Sequence, residues 1–520
     1  MKKPCRERWG LTVAFLVFIS TMAIQNRGII KDSVRSWKSG EVTFSEFVDG
    51  IENSYLSEFS LKDSFINLNG LFARLVGKRT DNGVVLLNNG MLTFEEVEPA
   101  QTDNQADRVK ELSNCLKEKG IPFLYVQAPY KVDINNEMVP KGVQNCTNDN
   151  LDQFVDALNQ NGVETLDLRN WISLDQKQIN QYFYVTDHHW NSEGAFVGFQ
   201  KIAAYIQNVF PQISIDDKVL EKASWTQHKL SNWFLGTHGK RVGSYFAGTD
   251  DLIWYTPNFK TESSCAIPIG KVIYKGDFVD ANIRMEYTDG QDYFHSNPYL
   301  IYIGGDYGLV QHRSMSARAN LKLLMIKDSY MLPVQAYLST VFEEIDVIDL
   351  RHYTEGTLMQ YIENTNPDMV IMMYSDSSLG NSEMFEFGVT ERSLQSLQEE
   401  TIIQKEKEIV IETFEDKDNC RIINDDLQGN TRYTITFDSV EFLAGTSDGI
   451  SLVVFDGKRD EVMRSVILDI GYYEKQGKLE WTFITPEENI EDMDIRIYAG
   501  IRGHAENKSV RIKNLVLYRK

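Results

Sequence analysis

Basic side chains are in short supply in this sequence. Its 520 residues carry 53 Lys and Arg against 75 Asp and Glu, a formal net charge of −22. Because nucleic acid and anionic membrane surfaces attract positive charge, this balance argues against either as the main partner. Cysteine is also scarce: there are five, with no C-x-x-C pair and no zinc-type spacing, which argues against a thiolate metal site. Internal repeats and low-complexity tracts are absent as well.

Long apolar runs are missing from all of the sequence except the N-terminus. The apolar run from Trp9 to Ile24 follows four basic residues, Lys2, Lys3, Arg6 and Arg8. This order is typical of a secretory signal or a short membrane anchor whose positive end stays on the cytoplasmic side. Since no clear A-x-A cleavage site follows, we favour an uncleaved anchor within residues 1–28. We expect the rest of the chain to form one exported, extracytoplasmic body.

The cysteines are compatible with export. Cys5 belongs to the targeting segment, which leaves an even set of four, Cys115, Cys146, Cys265 and Cys420. Four cysteines in an exported chain permit disulfides in three possible pairings. We favour Cys115 with Cys146, because both belong to one α/β unit.

The length predicts two or more domains. After a lead-in at residues 29–95, helical patterns alternate with short apolar strands over residues 96–395, which indicates a parallel sheet with helical crossovers. A stretch rich in aromatics and glycine at about residues 210–320 interrupts the alternation, and we interpret it as a β-rich insertion. Residues 408–520 show short alternating strands separated by turns, which predicts a jelly-roll-like β-sandwich. The predicted fold class is therefore a three-layer α/β domain followed by an all-β domain.

The most informative motif is Asp187-His188-His189-Trp190, just before a helical pattern. In an extended segment residues two apart face the same side, so Asp187 and His189 are expected to share one site, with the carboxylate orienting the imidazole. A nucleophile for this pair is offered by Ser329, which directly follows a buried apolar strand and precedes a helical pattern. The carboxyl edge of a sheet is where α/β enzymes place their chemistry.

Each of these residues also has a plainer interpretation. A serine after a strand often only caps a helix, and Asp328 could do the same. On an extended strand His188 faces away from the pair, which favours a packed histidine over a metal site formed with Asp187 and His189. Trp190 is interpreted as a packing wedge rather than a sugar platform. Lys131, after another strand, is interpreted as a solvated loop lysine.

Five motifs in the expected order, within about residues 45–380, resemble the DHHW protein family. They are Thr186–Ala195, Gly236–Gly243, Tyr302–Asp306, Lys327–Tyr330 and Ile348–Tyr353. That family is related to the AlgX/AlgJ-type polysaccharide O-acetyltransferases, which have an SGNH-hydrolase-like fold. The resemblance implies Ser329 as the nucleophile, His189 as the base and Asp187 as its orienting carboxylate.

The rest of the active site is less well defined by the resemblance. Lys327 stands where AlgX-like enzymes carry a glycine, and the family's glycine and asparagine oxyanion donors have no clear counterpart. Ser375 ends a strand where an asparagine loop would fall, and Asn381 is the nearest asparagine. Further candidates for substrate or oxyanion contacts are Tyr330, Arg351, Tyr353 and Trp190. Arg351 could equally pair with Asp349 or Glu355.

The expected function is an O-acetyltransferase acting on a cell-surface polysaccharide or exopolysaccharide. No cofactor and no metal are expected, and the resemblance implies a membrane-bound O-acyltransferase partner that hands the acetyl group across. One alternative is a carbohydrate acetylesterase that uses the same triad with water as acceptor. Another is a non-catalytic glycan-binding or assembly protein. The C-terminal sandwich is a candidate carbohydrate-binding module only by analogy with other polysaccharide enzymes.

Overall fold

The computed structural model describes residues 61–389, 401–413, 420–424, 427–459, 461–477, 479–486, 493–504 and 507–519, with scattered residues between 12 and 59. The predicted signal or anchor at residues 1–28 falls mostly outside the described residues, so its nature stays a prediction. In the part of the chain that is described, we find no helix with the length and hydropathy needed to span a bilayer.

Strands and helices are numbered in chain order over the described residues. The strands are β1 (Thr80–Asp81), β2 (Val84–Leu86), β3 (Leu92–Phe94), β4 (Phe123–Gln127), β5 (Thr165–Asp167), β6 (Trp225–Phe234), β7 (Asp250–Pro257), β8 (Ser263–Ile267), β9 (Val272–Gly276), β10 (Leu309–Ser314), β11 (Ala319–Lys327), β12 (Phe342–Ile348), β13 (Met369–Tyr374), β14 (Thr401–Thr413), β15 (Cys420–Asn424), β16 (Arg432–Phe437), β17 (Ser439–Ala444), β18 (Gly449–Asp456), β19 (Glu461–Asp469), β20 (Leu479–Ile484), β21 (Met493–Tyr498) and β22 (Lys508–Arg519). The helices are α1 (Lys62–Leu75), α2 (Asp103–Glu118), α3 (Thr147–Gln160), α4 (Arg169–Ile172), α5 (Gln176–Tyr182), α6 (Ser192–Val209), α7 (Asp217–Leu220), α8 (Thr237–Val242), α9 (Ser244–Ala247), α10 (Phe278–Asn282), α11 (Leu332–Leu338), α12 (Leu358–Thr365) and α13 (Ile470–Gln476).

The central element is an eight-stranded sheet in the order β5-β4-β13-β11-β12-β10-β8-β9. The first five strands of this order pair in parallel, and the last three continue the sheet antiparallel. Strands β4 and β13 are buried at every residue, because helices cover both faces of a parallel sheet. The predicted α/β class is confirmed.

Strand β11 is the switch point of this sheet. From β11 the chain passes through α11 to β12 on one side, then through α12 to β13 on the other side. Crevices at the carboxyl ends of the strands next to such a point are where open α/β sheets place their ligands. The segments that follow β11, β13 and β4 therefore meet at one edge.

The insertion predicted at about residues 210–320 is only partly separate. Strands β6 and β7 form their own antiparallel pair, but β8, β9 and β10 extend the central sheet. Strand β10 pairs along β12 from Leu309 opposite Ile348 to Arg313 opposite Glu344. Without β10, strand β12 would be an exposed edge of the sheet. The hydrophobic periodicity of the sequence alone could not indicate this pairing.

The C-terminal region consists of two antiparallel sheets, as the alternating pattern predicted. One contains β14, β22, β16, β20 and β17, and the other contains β15, β21, β18 and β19. Their inward side chains share one hydrophobic core that includes Ile435, Val454, Ile495 and Ile512. This core is separate from the large core that surrounds the central sheet.

The predicted disulfide between Cys115 and Cys146 is not formed, and both thiols are free. Cys115 lies near the carboxyl end of α2, while Cys146 precedes the first residue of α3. The starts of the two helices lie together, because Asn150 of α3 accepts a hydrogen bond from the Ala100 N–H just before α2. Farther along, Lys110 of α2 donates a hydrogen bond to Asn161 at the end of α3. The helices are thus parallel, and the two cysteines lie at opposite ends.

Candidate active site

Residues 184–189 form a compact turn rather than the extended strand that the sequence predicted. Only Phe183 and Trp190, at its two ends, pair as a β-bridge. Within the turn, the Asp187 Oδ1 atom accepts hydrogen bonds from the His189 backbone N–H at 3.0 Å and from His189 Nδ1 at 2.5 Å. An aspartate that bonds to the backbone two residues on competes with strand formation. The two side chains do meet, but the turn brings them together.

Ser329 opens a short 3-10 helix, Ser329–Met331, directly after β11. Its Oγ atom lies 2.7 Å from His189 Nε2, which joins chain segments 140 residues apart. Ser329 itself is partly exposed, whereas Asp187 and His189 are buried. The Ser329 backbone N–H has no acceptor among the described residues.

Asp187, His189 and Ser329 therefore form one hydrogen-bonded series. Burial alone would raise the pKa of Asp187, but two neighbouring imidazoles and hydrogen bonds from His189 and Thr237 hold that pKa well below its usual range. The ionised carboxylate fixes the His189 tautomer with its Nε2 atom free to accept a proton from the serine. The Tyr299 ring stacks on His189 with centroids 3.8 Å apart, and its hydroxyl donates to the Ser329 carbonyl.

The glycine-rich motif at Gly236–Gly243 supports the Asp187 turn from one side. The Gly236 N–H donates to Thr186 Oγ1, and the Thr237 N–H donates to Asp187 Oδ2 at 2.7 Å. A Cβ atom on Gly236 would lie 2.2 Å from the Asp187 Cβ. Only glycine therefore allows this close approach of the two segments.

The prediction that Lys131 is a solvated loop lysine is wrong, because its side chain is buried against the turn that carries Asp187 and His189. Its Nζ atom donates to the carbonyls of Tyr184 at 2.6 Å, Val185 at 3.1 Å and Asp187 at 2.5 Å. The only local signal was its place just beyond the carboxyl end of β4, which also suits an ordinary loop lysine.

Residues 87–241 match the family described as SGNH hydrolase-like domain, acetyltransferase AlgX. This part of the chain is similar to the AlgX-type SGNH hydrolase-like domain. It contains Asp187 and His189, and Ser329 lies beyond the matched residues. The resemblance to the AlgX-type domain that the motifs indicated is confirmed over these residues.

Solved structures show similarity over much of the chain. Bacillus cereus PatB1 is 25% identical, covers 58% of this chain and 99% of its own, and has a TM-score of 0.48. A DHHW family protein from Eubacterium siraeum is 19% identical, with coverage of 59% and 95% and a TM-score of 0.43. Pseudomonas aeruginosa AlgX is 12% identical, with coverage of 87% and 97% and a TM-score of 0.36. No curated protein matches the chain.

Trp190 and Tyr330 join the two halves of the candidate site but are too buried to contact substrate. Trp190 is fully buried, its Nε1 donates to the Tyr330 carbonyl at 2.9 Å, and its ring fills space that a Cβ on Gly198 would occupy. The Tyr330 hydroxyl donates to the His188 carbonyl, and its backbone N–H donates to Asp328. Trp190 is thus a packing residue, as the sequence indicated, and the further suggestion that Trp190 or Tyr330 contacts substrate does not fit their burial.

Ser375 does not supply an oxyanion donor. Its N–H and its hydroxyl both donate to Asp328 Oδ2, at 2.6 and 2.7 Å, and Ser378 donates to the same oxygen. Asp328 caps the 3-10 helix through its other oxygen. Ser375 thus holds the residue before the nucleophile in place, and the prediction that it contacts the oxyanion is wrong.

Arg351 and Lys327 belong to a cluster of charges beside Ser329. Arg351 binds Asp349 with two hydrogen bonds, at 2.9 and 2.6 Å, and lies 3.3 Å from Asp306. Lys327, fully buried, pairs with the same two carboxylates. The lysine that replaces the family's glycine is therefore neutralised inside the fold. Arg351 is partly exposed and remains a candidate for substrate contact.

Tyr353 lies away from Ser329. It lines a crevice of about 70 Å³ together with Arg464 and Trp481 of the C-terminal sheets. The segment after β12 turns toward the C-terminal region at this point, where Glu355 accepts hydrogen bonds from Ser465. The prediction that Tyr353 contacts substrate near the nucleophile is wrong.

His188 lies beside His189 rather than facing away from it, because the segment is a turn. The two ring centroids are 3.8 Å apart, and His188 Nδ1 lies 3.6 Å from Asp187 Oδ1. Burial and the neighbouring His189 lower the pKa of His188 to about 3. Ligand atoms of Asp187, His188 and His189 lie within 4.8 Å of one another. Both ring nitrogens of His189 are already hydrogen-bonded, one to Asp187 and the other to Ser329. A metal ion would have to replace one of these partners, so the three residues fit a proton relay better than a metal site.

Proposed function

We propose that this protein is an extracytoplasmic polysaccharide O-acetyltransferase that works through an acyl-enzyme on Ser329. The proposal rests on the hydrogen bonds that join Asp187, His189 and Ser329, with a nucleophile that is partly exposed and a base that is buried. A serine becomes nucleophilic when a base held in the right tautomer takes its proton. The AlgX-type domain supports acetyl transfer as the reaction.

The reaction follows from this geometry in two steps. Ser329 Oγ attacks the acetyl carbonyl of the donor while His189 Nε2 takes the hydroxyl proton, and the bond to the donor's leaving group breaks as His189 returns the proton to that group. A sugar hydroxyl then loses its proton to His189 and attacks the acetyl-serine, which releases the acetylated sugar and restores Ser329. The ionised Asp187 stabilises the imidazolium in both steps. The free backbone N–H of Ser329 is one donor for the oxyanion.

The substrate and the location follow from the resemblance and the N-terminus. The acceptor would be a hydroxyl of a cell-surface polysaccharide or exopolysaccharide, and a membrane-bound O-acyltransferase would supply the acetyl group. The basic and apolar order of residues 1–28 supports an anchored or secreted protein outside the cytoplasm. The strongly acidic composition makes nucleic acid an unsuitable partner.

The test is to detect the acetyl-enzyme by intact-mass spectrometry. The full chain and its Ser329→Ala variant are incubated with an activated acetyl ester, with and without a sugar oligomer. We expect one acetyl group on the wild type only, lost on addition of sugar and recovered on the sugar. The matched control is Ser382→Ala, since Ser382 is an exposed serine that also opens a 3-10 helix, Ser382–Phe385. This control should acetylate like wild type.

Other outcomes separate the alternatives. Rapid release of acetate at the same rate with and without sugar would make the protein an esterase with the same nucleophile. Acetylation that persists in Ser329→Ala would contradict the assigned nucleophile. An absence of both adduct and turnover in the wild type would favour a non-catalytic glycan-binding protein.

A further inference from the structure

The turn that carries Asp187 and His189 is bound by a buried lysine on its carbonyl side. The Lys131 side chain is 1% exposed, and its Nζ atom lies within 3.1 Å of three carbonyl oxygens, those of Tyr184, Val185 and Asp187. An ammonium group has three N–H donors and no acceptor. Donors and acceptors therefore match in number at this site.

A buried carboxylate binds the amide side of the same turn. Asp250 Oδ1 accepts from the Val185 N–H at 2.7 Å, and Asp250 Oδ2 accepts from the Thr186 N–H at 2.7 Å and the Thr186 hydroxyl at 2.6 Å. Asp250 begins β7, far from Lys131 in the sequence. The turn is thus held between a cation on its carbonyls and an anion on its amides.

We propose that Lys131 and Asp250 are positioning residues for acyl transfer, which hold the turn so that His189 stays in reach of Ser329. This inference rests on the proposed function, because positioning has a catalytic meaning only if Ser329 is the nucleophile. Neither residue touches Ser329 itself. Both act on the backbone that places Asp187 and His189.

The energetic reason is that a turn has no regular ladder of its own. Without Lys131, three buried carbonyls would lose their partner, and buried unpaired backbone groups are costly. The backbone of the turn would then shift so that these carbonyls find other hydrogen-bond donors, and the His189 imidazole would move with it. A displacement of about 1 Å at a catalytic group can lower the rate by about 10²-fold.

The charge of Lys131 gives this arrangement a pH dependence. The titratable groups that face it are Asp250 on β7, Asp187 and His188 on the turn, and His238 on α8. Burial lowers the pKa of Lys131 to about 7, with Asp250 and Asp187 opposing that shift. A neutral amine has two N–H donors, so one of the three hydrogen bonds is lost as the pH rises through this value. Arginine would keep its charge at every accessible pH.

The experiment measures the reactivity of Ser329 without needing the natural donor. An aryl sulfonyl fluoride labels an activated serine, and intact mass gives the labelling rate for wild type, Lys131→Met and the exposed control Lys141→Met. We expect labelling of Lys131→Met to be at least about tenfold slower than wild type, as a displaced imidazole requires. The melting temperature of Lys131→Met is expected to fall, because three buried carbonyls lose their donor, so all labelling rates are measured well below the melting temperature of each variant. The control should match wild type.

The outcomes distinguish the two levels of the inference. Labelling of Lys131→Met within twofold of wild type would overturn the positioning role and leave the proposed function intact. A wild type that is never labelled at Ser329 would overturn both. If Lys131→Met does not fold, Lys131→Arg decides the question. We expect the wild-type labelling rate to decline above pH 7 and the Lys131→Arg rate to show no such decline, and an equal decline in both would refute the inference.

Discussion

Two carboxylates near Ser329 have opposite pKa shifts, because their immediate partners differ. Asp187 receives hydrogen bonds from His189 and Thr237, and its pKa lies well below the usual range in spite of burial. Asp376, after β13, is partly buried close to the Asp328 carboxylate, and burial and this like charge raise the pKa of Asp376 to about 6. One carboxylate is therefore kept charged beside His189, and the other is held in its charged form only at an energetic cost.

The raised pKa of Asp376 predicts a specific dependence of stability on pH. An aspartate in an unfolded chain has a pKa of about 3.9, so between that value and about 6 the folded state binds the proton more tightly. The contribution of Asp376 to the free energy of unfolding is therefore most favourable below pH 4, and it declines as the pH rises through 6. We expect Asp376→Asn to raise the melting temperature at pH 7.5 by roughly 2–4 °C. Calorimetry at several pH values checks this.

The comparison at pH 4 is the internal control for Asp376→Asn. There both the carboxylic acid and the amide are neutral, so the difference between variant and wild type should largely vanish. An equal gain at pH 4 and pH 7.5 would contradict the assigned titration. Asp175→Asn, at an exposed helix cap, should show no such pH-dependent gain.

At the scale of elements, the sequence predicted correctly which side chains meet. It did not predict the backbone conformation that brings them together. The strand-to-helix position of Ser329 could be predicted because burial and periodicity are local signals. The turn at Asp187 was mistaken for a strand, since an Asx-type bond depends on a geometry that alternation does not report. Lys131 and Asp250 were missed for a different reason. Their partners are backbone groups of a segment distant in sequence, and such contacts leave no local pattern.

The close contact between α8 and the turn gives the next prediction. Gly236 has ordinary backbone angles, so alanine there would be strained only by contact with Asp187. We expect Gly236→Ala to slow labelling of Ser329 by about 10- to 100-fold through displacement of the carboxylate. Gly380→Ala is the control, because a Cβ at Gly380 meets nothing within 4 Å. Equal labelling rates in the two variants would show that the close approach is not needed.

At the scale of the whole molecule, two separate cores are joined by polar contacts and by a small apolar cluster of Ala266, Ile467 and Ile501. Lys275 of β9 lies 2.7 Å from Asp469, Ser465 donates to Glu355, and the Tyr472 hydroxyl donates to Glu344. The change from helical to alternating patterns made the second core predictable. Its contact with the antiparallel end of the central sheet was not predictable, because polar residues on two surfaces do not identify each other in sequence.

Asp469 links these two parts and also caps α13 through the Tyr472 N–H, so its removal tests whether the link matters for catalysis. We expect Asp469→Ala to weaken α13 by about 1 kcal/mol through loss of the cap and to free Lys275. Hydrogen exchange should therefore increase in α13 and β9, while sulfonyl labelling of Ser329 stays within twofold of wild type. Asp216→Ala, a cap within the α/β domain, should leave exchange in α13 unchanged. A tenfold fall in labelling for Asp469→Ala would instead mean that the C-terminal sheets hold the edge that carries Ser329 in place.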